Sequence, residues 1–376
     1  VKVGSTPALT ARAIARRFLG ATDDLAIAPL GAGLINRTYR VDQGQDSFVL
    51  QCLNPRVFPA PEAVMANLVR LQARARAHPE CGVRVPALIR TPAGEDWLRD
   101  DHGHLWRLLE FIRPSRVLRA LETPRQAAAI GRALGRFHRL LAPLDPASFA
   151  LALPAFHCTT SYLARLDALL AGAAASNGPV DAPSDATIAP LLQFIDARRP
   201  LAGVLEQALA AGITQERIVH GDPKLDNLLF APDTDRVLCL IDLDTVQPGL
   251  LHHDLGDCLR SCCNRAGEQA GEQASASFDL ALCEAILNAY AAETPGLLSA
   301  EEQALLPAAV QLIPFELCIR FLTDHLQGDR YFKVSAAGEN RVRAERQFAL
   351  VADIERKAPA LRDIVQRAFA PTTVGI

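Results

Sequence analysis

The loop Val219-His220-Gly221-Asp222-Pro223-Lys224-Leu225-Asp226-Asn227 places an acid, a cation and an amide within one short turn. The apolar run Val237-Leu238-Cys239-Leu240-Ile241 follows and ends at Asp242, with Asp244 close behind. Moving a phosphoryl group from a magnesium nucleotide to a hydroxyl needs positioning and charge neutralisation more than covalent chemistry. In that chemistry Asp222 accepts the hydroxyl proton and Lys224 faces the transferred phosphate. Asn227 and Asp242 offer the hard oxygen ligands that magnesium prefers. His220 serves better as a hydrogen-bonded support of the loop than as the base. A plain surface turn also collects Asp, Pro, Lys and Asn, but a turn alone does not explain a following buried strand that ends in Asp.

Two parts of the chain must bring these groups together. Residues 8–19 have a helical apolar side of Leu9, Ala13, Ile14 and Phe18. Strand-like sequence follows at 25–28, 34–41 and 47–51, with Gly31 and Gly33 in the first connection and Asp42-Gln43-Gly44 in the second. Glycines between strands let backbone approach phosphate, and they also serve ordinary hairpins. Residues 59–76 read as a helix, and 95–98 and 105–111 as strands joined around His102-Gly103. After Arg113-Pro114 the pattern turns helical. Thr123-Pro124 starts a helix through Ile130, Leu134, Phe137 and Leu141. Helices are expected at 159–172 and 186–213, a surface loop at 171–185, and mainly helix over 277–370. The expected architecture is α+β and bilobal: a small antiparallel sheet with a helix over 1–112, and a larger helical lobe with the catalytic loops over 113–376.

The bulk composition agrees with a globular chain of that size. The 376 residues are 49% hydrophobic and 22% charged, with a formal net charge of -3. Nothing there points to nucleic acid or an anionic membrane as partner, and no run reads as a membrane span. The start of the sequence shows no basic segment leading into an apolar core. Nine cysteines, an odd number without a CxxC pair, fit a reducing cytoplasmic setting better than a disulfide scaffold. Cys258, Cys262 and Cys263 near His252 and His253 read as buried helix residues before they read as a metal cluster.

The segments His220–Asn227 and Ile241–Asp244 resemble the aminoglycoside phosphotransferase and choline kinase superfamily, which has a protein-kinase-like fold. Three further segments resemble its N-acetylhexosamine 1-kinase branch: 34–39 with 48–54, 241–249 with 254–260, and 320–326 with 328–333. The resemblance implies ATP and magnesium as cofactors and a small alcohol, such as the anomeric hydroxyl of a hexosamine, as acceptor, with no protein partner. It implies Asp222 as catalytic residue and Asn227 and Asp242 as metal ligands. Gly31, Gly33, Asn36, Thr38 and Gln51 then face the nucleotide, with Glu110 to Ile112 as the lobe linker beside adenine. Arg320 and Tyr331 fall near the sugar. Arg320 is equally placed for an internal ion pair with Glu316 or Asp324. Asp244 either binds a sugar hydroxyl or second metal, or caps the following turn.

The chain departs from the pattern in named places. Gln51 stands near the position of the strand lysine of protein kinases, and Ala66-Asn67 where its helical Glu partner would be. Leu34 and Arg37 stand where the sugar-kinase branch would carry His and Asp. Other acceptors therefore stay open: an aminoglycoside, choline or homoserine. The region after 330 is not acidic, since Arg341, Arg343, Arg346, Arg356 and Lys357 offset Glu339, Glu345, Asp353 and Glu355, which counts against a polycationic acceptor. The missing Lys–Glu pair also admits a nucleotide-binding regulator without turnover.

Overall fold

The computed structural model describes residues 7–20, 24–31, 35–175, 187–266 and 276–370. Helix α1 (Pro7–Leu19) precedes β1 (Leu25–Pro29), β2 (Arg37–Gln43) and β3 (Asp46–Cys52). Then come α2 (Pro61–Ala77), β4 (Leu88–Ile89), β5 (Leu98–Arg99) and β6 (Leu105–Glu110). These strands form one antiparallel sheet in the order β1-β2-β3-β6-β4, with β5 also on β6. Period-two alternation sorts its residues. Tyr39, Val41, Leu50, Cys52, Trp106 and Leu108 pack under Ala11, Ile14, Ala15 and Phe18 of α1. The strand register aligns Thr38, Gln51 and Arg107 in a row across the neighbouring strands. The expected strand at 95–98 shrinks to β5, because the Glu95 backbone closes a turn with Thr91 at both N–H (3.1 Å) and C=O (2.9 Å).

The second lobe is helical, as its sequence pattern implies. It runs α3 (Pro124–Leu141), α4 (Thr159–Ala175), α5 (Ala189–Asp196), α6 (Arg199–Ala202), α7 (Val204–Ala210), β7 (Arg217–Val219), β8 (Leu228–Phe230), β9 (Val237–Leu240) and β10 (Gln247–Gly249). Helices α8 (Leu251–Cys262), α9 (Leu280–Glu293), α10 (Ala300–Leu326), α11 (Glu339–Arg356) and α12 (Ala358–Ala368) complete it. Thr123 and Gln126 form a full capping box at the start of α3. The single helix expected over 186–213 is instead three short ones. Pro200 cannot donate to a preceding turn and Gly203 weakens the next, so α5, α6 and α7 separate. Helix α4 runs to Ala175, and most of the loop expected at 171–185 lies outside the described residues.

Helix α10 departs from the sequence reading in another way. By length and hydropathy it could span a bilayer, but 61% of its apolar window is buried in the protein. It packs Leu312, Phe315, Ile319 and Leu322 against Ala344, Phe348 and Val351 of α11. A separate core joins the lobes: Val64, Met65 and Leu68 of α2 and Leu105 and Leu109 of β6 share one cluster with Ile130 and Phe137 of α3 and Leu255 of α8. That junction fixes the sheet over the loops that carry the polar residues.

Candidate active site

The loop 220–227 is held from beneath by one buried carboxylate. Asp254, in the first turn of α8, accepts from the backbone N–H of His220 and of Gly221, both at 2.7 Å. His138 of α3 bonds it through Nε2 at 2.8 Å and reaches the Tyr290 hydroxyl through Nδ1 at 2.8 Å. Burial alone would raise the Asp254 carboxyl, but the His138 bond and the loop amides outweigh that and hold it below its usual range. His220 accepts at Nδ1 from the Asp222 N–H (3.3 Å), so its Nε2 donates to the Ile241 carbonyl (3.1 Å). Burial disfavours the charged ring and lowers its pKa, which matches that neutral tautomer. Gly221 has φ +86°, and a Cβ there would lie 2.7 Å from the Thr245 carbonyl oxygen. Only glycine allows this loop to touch the segment after Asp242.

Asp222 is thereby aimed and half-exposed. Its Oδ2 accepts from Lys224 Nζ and, at 3.0 Å, from Asn227 Nδ2. Asn227 Nδ2 also donates to the Asp222 carbonyl at 2.8 Å. Lys224 thus contacts the acid of its own loop in this structure. The β8–β9 hairpin sets Leu228 opposite Leu240, and Ile241 N–H donates to the Asn227 carbonyl at 2.9 Å. Hairpin register therefore puts Asn227 beside Asp242, although the sequence separates them.

Asp242 has φ 62°, a left-handed conformation uncommon outside glycine and frequent at functional sites. It opens to the cleft, and among the described residues no hydrogen bond holds its carboxylate. Protein packed around it, then the nearby Asp244, raise that carboxyl above its usual range, with Lys224 opposing. The Asn227 amide gives its N–H groups to Asp222, which leaves its oxygen facing away from that bond. Two hard oxygens, one an uncompensated carboxylate, fit a divalent cation such as magnesium. When bound, such an ion supplies neutralisation of phosphate charge.

Asp244 is neither a turn cap nor open to a ligand. It is 2% exposed and forms an ion pair with Arg107 of β6, itself 1% exposed. Asn36 Nδ2 donates to its second oxygen at 2.6 Å. Gln51 Oε1 accepts from Arg107 Nε (3.1 Å) and Nη2 (2.7 Å), and Gln51 Nε2 donates to Thr38 at 3.3 Å. Gln51 and Asp244 therefore hold Arg107, and Thr38 and Asn36 in turn bond those two side chains. Arg107 Nη1 is buried with no hydrogen-bond partner. Asn67 of α2, where a kinase helix would carry Glu, donates to the carbonyls of Val246 (2.9 Å) and Ala150 (2.8 Å). The lobes are thus tied through the 244–246 segment. The one sequence signal for Arg107 was a lone charge inside Leu105-Trp106-Arg107-Leu108-Leu109; Asn67 gave none.

Gly31 has φ +71° in the connection to β2, while Gly33 lies outside the described residues. The Glu110 carboxylate accepts from Arg84 at 2.5 Å, its N–H donates to Ala87, and the Ile112 carbonyl accepts from Ser115. Further along the cleft, Arg320 lies 3.5 Å from Glu316 and over the rings of Phe156, Tyr162 and Phe332. Tyr331 is 39% exposed. Asp324 instead accepts from the N–H groups of 330–332 and fixes that segment.

Glu316 links this region to the loop. His157 donates from Nε2 to the Gly221 carbonyl (2.9 Å) and from Nδ1 to Glu316 (3.1 Å), so it is doubly protonated. Burial opposes that charge, but Glu316 outweighs it and raises the His157 pKa. Burial likewise disfavours the Glu316 carboxylate, yet His157 and Arg320 hold it down to about 2. A raised His pKa gives stability that is full below about pH 6.5 and lost as pH rises through the folded pKa. Accordingly, the stability gap between wild type and His157→Gln is expected to be full at the acid end of the range and to shrink as pH rises above about 6.5. Thermal unfolding across pH 5–9 reads it; a gap that widens with pH contradicts the assigned charge.

Residues 26–293 match the sequence model of the phosphotransferase enzyme family. The chain belongs to that family. Solved structures share its fold across nearly the whole length. An aminoglycoside phosphotransferase from Alicyclobacillus acidocaldarius aligns at TM-score 0.62 and 16% identity, over 97% of this chain and 99% of that one. A microcompartment-associated aminopropanol kinase aligns at 0.58 and 17%, over 91% and 95%. An amicoumacin kinase in complex with AMP-PNP and Ca2+ aligns at 0.60 and 15%, over 93% and 91%. The bilobal protein-kinase-like fold expected from the sequence is the fold observed, and the protein is a phosphotransferase acting on an alcohol. None of these three is named as an N-acetylhexosamine kinase.

Proposed function

We propose that this phosphotransferase moves the γ-phosphoryl group of magnesium ATP to the hydroxyl of a small amino alcohol. The observation that carries the reaction is the Asp222 carboxylate, held by Lys224 and by Asn227 beside the uncompensated Asp242. Asp222 takes the hydroxyl proton as the oxygen attacks, and the loop amides bound to Asp254 keep it in place. Lys224 lies close enough to exchange its contact with Asp222 for the transferred phosphate. Asn227 and Asp242 would hold the magnesium. The nucleotide would sit beneath the sheet, with the Gly31 connection over its phosphates and the 110–112 backbone beside its base. Support for the acceptor class comes from the fold relatives, one of them an aminopropanol kinase.

A second reading, phosphorylation of the anomeric hydroxyl of an N-acetylhexosamine, draws on the 320–333 segment. There Arg320 lies among the rings of Phe156, Tyr162 and Phe332, with Tyr331 exposed beside it. Ring faces with one donor suit a sugar. A coupled ADP-release assay with magnesium ATP separates the two. The acceptors are ethanolamine, aminopropanol, choline, homoserine, N-acetylglucosamine, N-acetylgalactosamine and kanamycin, with phosphorus NMR of any product. Turnover of an amino alcohol supports the first reading. A proton-coupled anomeric phosphate signal replaces it with the second, and ATP binding without turnover of any acceptor overturns both.

A further inference from the structure

The start of β2, the end of β3 and the segment after α10 enclose a cleft that the phosphoryl-transfer residues do not use. Two adjoining hollows of about 320 and 230 Å³ share Ile35, Asn54, Arg56 and Lys333 on their walls. Arg37 lines the larger and Arg330 the smaller. The one acid on either wall is Asp329, whose Oδ1 already accepts from Asn340 at 2.9 Å. Among the described residues Arg37, Arg56 and Arg330 meet no carboxylate at ion-pair distance.

The neighbours of Arg37 hold it without neutralising it. Arg37 lies 5.3 Å over the Trp106 ring and donates to Cys52 Sγ at 3.0 Å. Lys333 donates to the Asn36 carbonyl at 3.0 Å. Burial, then Arg37, hold the Lys333 ammonium below its usual range, as crowding by like charge requires. By contrast, Arg40, Arg84, Arg90 and Arg99 in the sheet lobe, and Arg341, Arg343, Arg356 and Lys357 on and just after α11, each meet an acid. On a chain of net charge -3, Arg37, Arg56 and Arg330 along these walls, with a single committed acid, are a local excess of positive charge.

We propose that this cleft binds a small anion, a carboxylate or phosphate group, through Arg37, Arg56, Arg330 and Lys333. Guanidinium forks suit the paired oxygens of either group. Two sources are chemically equivalent. The anion is an acidic group on the acceptor itself, since Tyr331 shares the wall. Or it is a free anion that pins the 329–333 segment to the sheet, since Lys333 bonds Asn36, which bonds Asp244. The first source rests on the function proposed above; the binding site does not.

The test is calorimetric titration of the full chain with inorganic phosphate at constant ionic strength, with AMP-PNP and magnesium saturating the nucleotide site. The comparison is the Arg56→Gln/Arg330→Gln double variant, whose side chains are exposed and whose fold is checked by thermal unfolding. Wild type is expected to bind phosphate about tenfold or more tightly than the double variant. Equal binding, or none by wild type, overturns the site. Matched acceptors then assign the source: serine against ethanolamine, and homoserine against 3-aminopropanol. A wild-type preference for the acid-bearing member that the double variant loses places the anion on the acceptor. No such preference, with phosphate binding retained, assigns a free anion. Absence of turnover with every acceptor counts against the proposed function and leaves the phosphate titration standing.

Discussion

Asp222→Asn is expected to lower kcat by about 10²- to 10⁴-fold, the usual contribution of a positioned general base. The substitution keeps size and shape, and Asn227 still has the Asp222 carbonyl as acceptor. The fold and the 220–227 loop are therefore expected to persist. Nucleotide affinity measured by calorimetry stays within a few-fold of wild type, because in the proposed reaction Asp222 serves the acceptor hydroxyl rather than the nucleotide. Single-turnover phosphoryl transfer separates this outcome from slow product release. Unchanged turnover in the variant would remove Asp222 as base. A parallel loss of nucleotide binding would point instead to a collapsed loop.

The second large effect is expected at Arg107. Its ion pair with Asp244 is buried on both sides, and a lone charge left in such a place is costly. Arg107→Gln therefore loses about 3–5 kcal/mol of stability, the range for breaking a buried pair from one side. Adding Asp244→Asn removes the stranded charge and recovers part of the loss, so the double-mutant cycle gives a clear coupling. Arg107→Lys recovers less, because an ammonium cannot reach Gln51 and Asp244 with the same planar fork. Since Asp244 sits on the segment that begins with Asp242, KM for magnesium ATP is expected to rise in each variant that still folds. Denaturant unfolding and steady-state kinetics read both effects. A loss under about 1 kcal/mol, the range of exposed pairs, would show that the pair does not hold the lobes.

The proximity of the candidate site residues was largely legible in local sequence. Asp222, Lys224 and Asn227 share one turn, and Asp242 ends an apolar strand, so residue type and short spacing carry the reading. The alternation of the sheet lobe and the Thr123-Pro124 helix start were local as well, and the observed elements follow them closely. The break of 186–213 into three helices was written in Pro200 and Gly203 but outweighed by the apolar periodicity.

What only tertiary structure decided is the electrostatic state of each group. Asp244 looked like a ligand or a cap, and a residue 137 positions away neutralises it. Gln51 and Asn36, candidates for the nucleotide, are committed to Arg107 and Asp244. Asp254 anchors the 220–227 loop through amides 33 and 34 positions away. Local spacing determines which groups a turn can hold together. Whether a charge is buried, paired or left open depends on what the fold brings up from elsewhere in the chain, because desolvation and Coulomb attraction act through space rather than along the sequence.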